Sequence, residues 1–135
     1  MCILPNIDLR LAEPGDAPLL GVAALAAGGG IYEHLLAKAA GGLDAATVLA
    51  SAIAAGTDGL SWRHSVIAAA ETGDLGAAIA YPSSSFSLHP SIARAATTEA
   101  VDDLQPLFDA QPDPKTYYLH SIWAVASARG QGVGA

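Results

Sequence analysis

Three glycines fall within five positions near the end of the sequence, in Arg129-Gly130-Gln131-Gly132-Val133-Gly134-Ala135. They follow Tyr117-Tyr118-Leu119-His120-Ser121-Ile122-Trp123-Ala124-Val125, an aromatic and β-branched run that reads as a strand. Glycine in such a loop lets the backbone come close to a bulky anion. Where a helix is about to begin, successive N–H groups and the helix dipole both favour phosphate oxygens. Glycines alone would equally make a plain turn, and it is Arg129 together with the preceding strand that favours the phosphate. Gly130 to Ala135 also satisfies the G-x-G-x-x-G/A dinucleotide pattern, a weaker reading, because that pattern belongs on an early strand with an acidic residue about 20 positions later. A P-loop is excluded, since no Gly-Lys-Ser/Thr occurs.

The elements that would carry this loop are legible upstream. Ile7-Asp8-Leu9-Arg10-Leu11 alternates as a half-buried strand, and Glu13-Pro14-Gly15-Asp16 closes it, with Asp16 placed to cap a helix over 17–27 that ends at Gly28-Gly29-Gly30. A second, split helix is predicted, first over 31–40 with a stop at Gly41-Gly42, then over 45–55 behind Asp44. Residues 65–70 and 76–81 flank Glu71-Thr72-Gly73-Asp74 as a β-hairpin, resting on turn chemistry and on Val66, Ile67 and Ile79 because alanine itself prefers helix. Residues 82–114 form a polar insertion with one short helical candidate over 98–108.

Composition bounds the rest. With 135 residues, 52% of them hydrophobic, the chain suits one domain of α/β class. No run approaches the roughly 20 strongly apolar residues of a membrane span, and the start lacks a basic leader, so a cytoplasmic protein is expected. Thirteen acidic against six basic residues give a net charge of −7, and the basic ones are scattered, so no nucleic-acid partner is expected. Such a surface favours cationic small molecules such as amines. Cys2 has no partner cysteine, and His64 and His89 lack ligand spacing, so neither a metal site nor a nucleophile is expected.

Arg129-Gly130-Gln131-Gly132-Val133-Gly134 resembles the Arg/Gln-x-x-Gly-x-Gly/Ala acyl-CoA signature of the GNAT N-acyltransferases, and Ile122-Trp123-Ala124 stands where that family's fourth strand has an apolar-Ala-Val triplet. The opening from Ile7 to Asp16 is similar to the family's usual start, the order strand, two helices, hairpin, strand agrees with it, and Ser61-Trp62-Arg63-His64-Ser65 resembles a segment of one bacterial subgroup. Ala124 and Ala126 depart from the usual valine and proline, though neither position donates to a phosphate. The resemblance implies acetyl-CoA as co-substrate. Main-chain groups of Ile122, Trp123, Ala124 and Val125 would lie against pantetheine, and Arg129, Gly130, Gln131, Gly132, Val133, Gly134 and Ala135 would hold the pyrophosphate. An amine would then attack the thioester directly, helped by proximity and a general base.

For that base, His120 is the first candidate, since strict alternation puts it on one face with Ile122 and Ala124, and its ordinary pKa near 6.5 suits the task. Glu33, between Tyr32 and His34, is the second, because the start of the second helix often lines the acceptor site in proteins of this family. Trp62 with Arg63 and His64 could wall that site, or could simply pack. The leading expectation is an N-acetyltransferase for a small-molecule or peptide amine. The alternative is a catalytically inactive fragment that binds acyl-CoA or a partner chain, because the family's elements after the signature are absent from the 135 residues and the domain reads as incomplete. An apolar edge of Leu119, Ile122 and Val125 is expected to be covered by roughly 40 to 60 further residues, by a second copy in a homodimer, or by a companion chain.

Overall fold

The computed structural model describes residues 6–37, 44–110 and 112–134. Four strands, β1 (Asp8–Leu11), β2 (Ser65–Ala70), β3 (Gly73–Pro82) and β4 (Tyr117–Ala124), pair antiparallel in the order β1-β2-β3-β4. Between β1 and β2 lie α1 (Ala17–Ala27), α2 (Ile31–Leu36) and α3 (Ala45–Ala54). The α/β class and the strand, helix, split helix, hairpin, strand order are those expected. Gly41 and Gly42, the predicted stop of the second helix, lie outside the described residues, as do Cys2 and Ala135. The insertion holds three short helices where the sequence suggested one: α4 (Pro90–Ala95), α5 (Thr98–Asp103) and α6 (Gln105–Asp109). The helix missed is α4. Its start has a proline at the first position and a capping side chain in His89, whose Nδ1 accepts from the Ser91 N–H at 3.1 Å, and histidine is not among the residues that usually signal a cap.

α3 begins as predicted, with the Asp44 carboxylate accepting from the Thr47 N–H at 2.7 Å. α1 does not. Asp16 makes no cap bond to that helix. Its carboxylate instead takes both guanidinium nitrogens of Arg10, at 2.8 and 2.9 Å, and the Glu13 N–H at 2.8 Å. The Arg10 bond, opposed by burial, holds the Asp16 pKa below its ordinary value. Arg10 also reaches Asp74 at 3.3 Å, so one cation ties β1 to the start of α1 and to the hairpin turn.

One sheet face is covered. Ile67, Ala77, Ile79 and Tyr81 join Leu20, Ala23, Ala24, Leu49 and Ile53 of α1 and α3 in the core. The opposite face is open, and this reverses the expected burial of β1: Leu9 and Leu11 are 73% and 80% exposed, while Arg10 turns to the helix side beside its carboxylate partners. Leu119 and Ile122 share the open face at 58% and 57% exposure, so the exposed apolar surface is a sheet face as well as the edge expected on β4.

α1 approaches α3 closely at Gly21, where an added Cβ would stand 2.9 Å from the Ala46 carbonyl oxygen and 3.1 Å from the Ala50 nitrogen. Backbone on both helices would have to shift. Gly21→Ala is therefore expected to destabilise the protein by about 1 kcal/mol or more, despite alanine's better helix propensity. Gly15→Ala, with nothing within 4 Å of its new carbon, should be near neutral. Urea unfolding of the two variants decides it.

Candidate active site

β4 carries one residue more than its partner strand. Ile79 opposes Ser121 and Ala80 opposes Leu119, so His120 has no partner across the ladder. This is a β-bulge, and it changes which side chains share a face. Tyr118, His120, Ser121 and Trp123 turn to the helix side or are at least partly buried, while Leu119 and Ile122 are exposed on the other. His120 therefore does not share a face with Ile122 and Ala124, as strict alternation had implied.

On the helix side His120 lines a cavity of about 170 Å³. Its walls are the end of α1, the start of α2, the β3–β4 pair and the insertion, with Tyr32, Tyr81, Phe86, Tyr118 and His120 supplying the rings. The rings pack on one another: Phe86 meets Tyr118 edge-on at 4.8 Å, Tyr81 lies 5.5 Å from Tyr118, and Tyr32 lies 5.9 Å from His120. Tyr32 fits because Gly28 has no side chain, since a Cβ there would come within 2.9 Å of the Tyr32 ring.

Two short hydrogen bonds fix the imidazole. Nε2 meets the Tyr32 hydroxyl at 2.6 Å and Nδ1 meets the Ser121 hydroxyl at 2.6 Å. Either the Tyr32 O–H donates to Nε2 and Nδ1–H donates to Ser121, or the chain of donors runs the other way. Burial pushes the His120 pKa down to about 4, so the ring is neutral at neutral pH. Burial, helped by the neighbouring Tyr81 and Tyr118, raises that of Tyr32, which stays a phenol.

On the open face, Leu9, Val66, Ala68, Ala78, Ile122 and Val133 line a groove of about 500 Å³. It forms because the chain after β4 folds back over the sheet through a 3₁₀ turn (Ala126–Ala128), bringing Val133 and Gly134 above β3. Gly76 permits this, since a Cβ there would lie 2.6 Å from the Trp123 carbonyl oxygen and 3.0 Å from Val133. Gly130 and Gly132 take left-handed backbone, φ 79° and 84°, which favours glycine. Among the described residues, the N–H groups of Gly130, Gly132, Val133 and Gly134 donate no hydrogen bond, whereas Gln131 N–H donates to Ala128 O at 3.3 Å. Arg129 Nε donates to Ala124 O at 3.0 Å, tying the loop to the strand end.

No family profile and no curated protein sequence matches this chain. Solved structures do. An acetyltransferase of known crystal structure superposes with a TM-score of 0.63 at 18% identity, over 94% of this chain and 68% of that one. An N-acetyltransferase from Staphylococcus aureus Mu50 gives 0.61 and 18%, over 94% and 70%. The fold is an acetyltransferase fold.

Within that fold, the sequence candidates separate. Ile122, Trp123, Ala124, Val133 and Gly134 line the open-face groove, and His120 lines the cavity behind it. Glu33 does not join His120: it is exposed, and its neighbour Tyr32 makes the contact instead. Sequence reasoning named Tyr32 only as Glu33's neighbour and gave Tyr81, Phe86 and Tyr118 no site role, since buried aromatics ordinarily read as core. The segment from Trp62 to His64 packs locally. Arg63 stacks 4.5 Å over Trp62 and donates to Gly56 O, and His64 Nδ1 meets Gly59 O at 3.0 Å.

The neutral His120 makes stability depend on pH. Above its unfolded pKa near 6.5 both states are unprotonated and the folded state keeps its full stability. Below it the unfolded ring binds a proton that the folded ring resists until about 4. Stability should thus fall with pH between 6.5 and 4, by up to about 1.4 kcal/mol per unit from this group. The lowered pKa of His89, from burial, acts with the same sign. Urea unfolding across this range, with His120→Asn removing part of the slope, tests it. A pH-independent stability would contradict it.

Proposed function

We propose that this protein is an N-acetyltransferase acting from acetyl-CoA on an amine. The observation that carries the reading is β4 itself, an edge strand with a nucleotide-type glycine loop at its end and a buried histidine-lined cavity on one face. The loop fits a pyrophosphate, because Gly130, Gly132, Val133 and Gly134 offer unspent N–H donors, and nothing stands within 4 Å of where a Cβ would project at Gly130 or Gly134. Gln131 is the exception among the expected donors, its N–H being already used. Apart from the Ala124 carbonyl, which accepts from Arg129 Nε, main-chain groups of Ile122 to Val125 that face away from β3 are open to an extended ligand, as on any edge strand. Bound acetyl-CoA would supply a thioester carbonyl for direct attack by the amine nitrogen, with the thiolate leaving.

The chain's own residues then hold and move protons. Both ring nitrogens of His120 already meet hydroxyls, so the amine's proton reaches the neutral ring through Tyr32, whose oxygen takes it as its own O–H proton moves to Nε2. A ring with a pKa near 4 retains a proton poorly, so it serves as a carrier rather than a store. Tyr32 and Ser121 position it.

Gly134→Val tests the cofactor half. Its Cβ would have nothing within 4 Å and the backbone is not left-handed, so folding should be unchanged while affinity for CoA, read by calorimetry, falls at least about tenfold. Gly132 is a poorer choice, because its φ of 84° would strain valine whatever binds. For the second half, His120→Ala should lower turnover about 10²-fold with CoA affinity retained, whereas Glu33→Gln should leave turnover unchanged. CoA binding without turnover in the parent protein would instead support a non-catalytic acyl-CoA binder.

A further inference from the structure

The cavity behind β4 states what kind of amine it can hold. Among the described residues that line it there is no Asp, Glu, Lys or Arg. Its polar groups are tyrosine hydroxyls, Ser87 and two histidines, and both histidines have pKa values lowered by burial. His89 turns its Nε2 toward Asp58, 3.7 Å away, and Asp58 does not line the cavity. Glu33 stays outside as well. The protein's net charge of −7 is therefore not expressed here.

We propose that the acceptor is a compact amine carried on an apolar, aromatic-sized body with no second charge. This rests on the acetyl-transfer reading above. Size supports it first: an apolar cavity of about 150 Å³ is known to take a benzene ring, and this one measures about 170 Å³. The lining supports it second. The faces and edges of Tyr32, Tyr81, Phe86 and Tyr118 receive an aromatic body.

The missing carboxylate matters for chemistry as well as for selection. A buried ammonium with no counter-ion loses its proton more easily, because desolvation disfavours the charged form. The cavity thus favours the neutral, nucleophilic amine. A polyamine or an aminoglycoside brings further cations, each of which would be desolvated without a partner. A lysine on a protein keeps its amine on a flexible stem and leaves the ring-lined volume unfilled.

The experiment measures acetyl transfer by thiol release for phenylethylamine, spermidine and a lysine-containing peptide. In parallel, binding of the same three amines without acetyl-CoA is read from NMR shifts of the Tyr118 and His120 ring protons. Phenylethylamine should exceed the other two by at least about tenfold in kcat/KM and in affinity, a difference of about 1.4 kcal/mol. Ser87→Asp, at an exposed rim position, adds the missing carboxylate and should narrow that preference severalfold toward spermidine. Preference for spermidine or the peptide in the parent protein would overturn the inference. If no amine is acetylated and CoA does not bind, the acetyl-transfer reading fails by itself, and the binding arm still decides the cavity: phenylethylamine shifting the ring protons where spermidine does not sustains it, and the reverse sinks it.

Discussion

Between Ile79 and Ala80 the β3–β4 ladder gains one residue on the β4 side, and that residue is His120. Without the extra position, pleating would send His120 to the same face as Ile122, out on the open side of the sheet. With it, His120 and Ser121 are adjacent and both reach the interior, so that their side chains bond to each other at 2.6 Å. Tyr32, delivered from α2, closes the other end of the imidazole. The cavity, the neutral state of the ring and the separation of the two faces of β4 all follow from that insertion.

The hydrogen bonds and the burial pull the same way. An imidazole with both nitrogens engaged by neutral hydroxyls needs no charge to satisfy it, and a largely buried site penalises the charge it would gain. The neighbouring phenols are held protonated by the same burial. The result is a polar chain inside an apolar cavity, in which protons can be relayed while no group carries permanent charge. Close backbone approach makes room for it. Gly28 admits the Tyr32 ring, and Gly59 admits Tyr81, whose ring would lie 2.7 Å from an added Cβ.

The two faces of β4 differ in character. The helix side is packed and ring-lined, whereas the open side is a shallow apolar surface of small and aliphatic residues under the returning glycine loop. Alanines along β2 and β3 keep that surface flat, and the loop reaches it because Gly76 leaves space beneath Val133. β4, at the edge of the sheet, borders both surfaces.

Local rules determined much of this from sequence. Asp44 capped α3 as its type and position required, α1 spans the run between Asp16 and Gly28 as its helix formers and glycine stop required, and the glycines at 130 and 132 sit in backbone that suits them. Each of these depends on neighbours within a few residues. What depended on distant partners was not legible. Asp16 looked like a cap and became the anchor of Arg10, a residue on another element, and Leu9 and Leu11 looked buried because alternation says that one face differs from the other without saying which face receives the helices. His120 could be named from its type and strand, but its bulge, its bond to Tyr32 across 88 residues and its lowered pKa arise only when β3, α2 and β4 are packed together. Register and burial are properties of the assembled sheet, and there tertiary structure decided the chemistry.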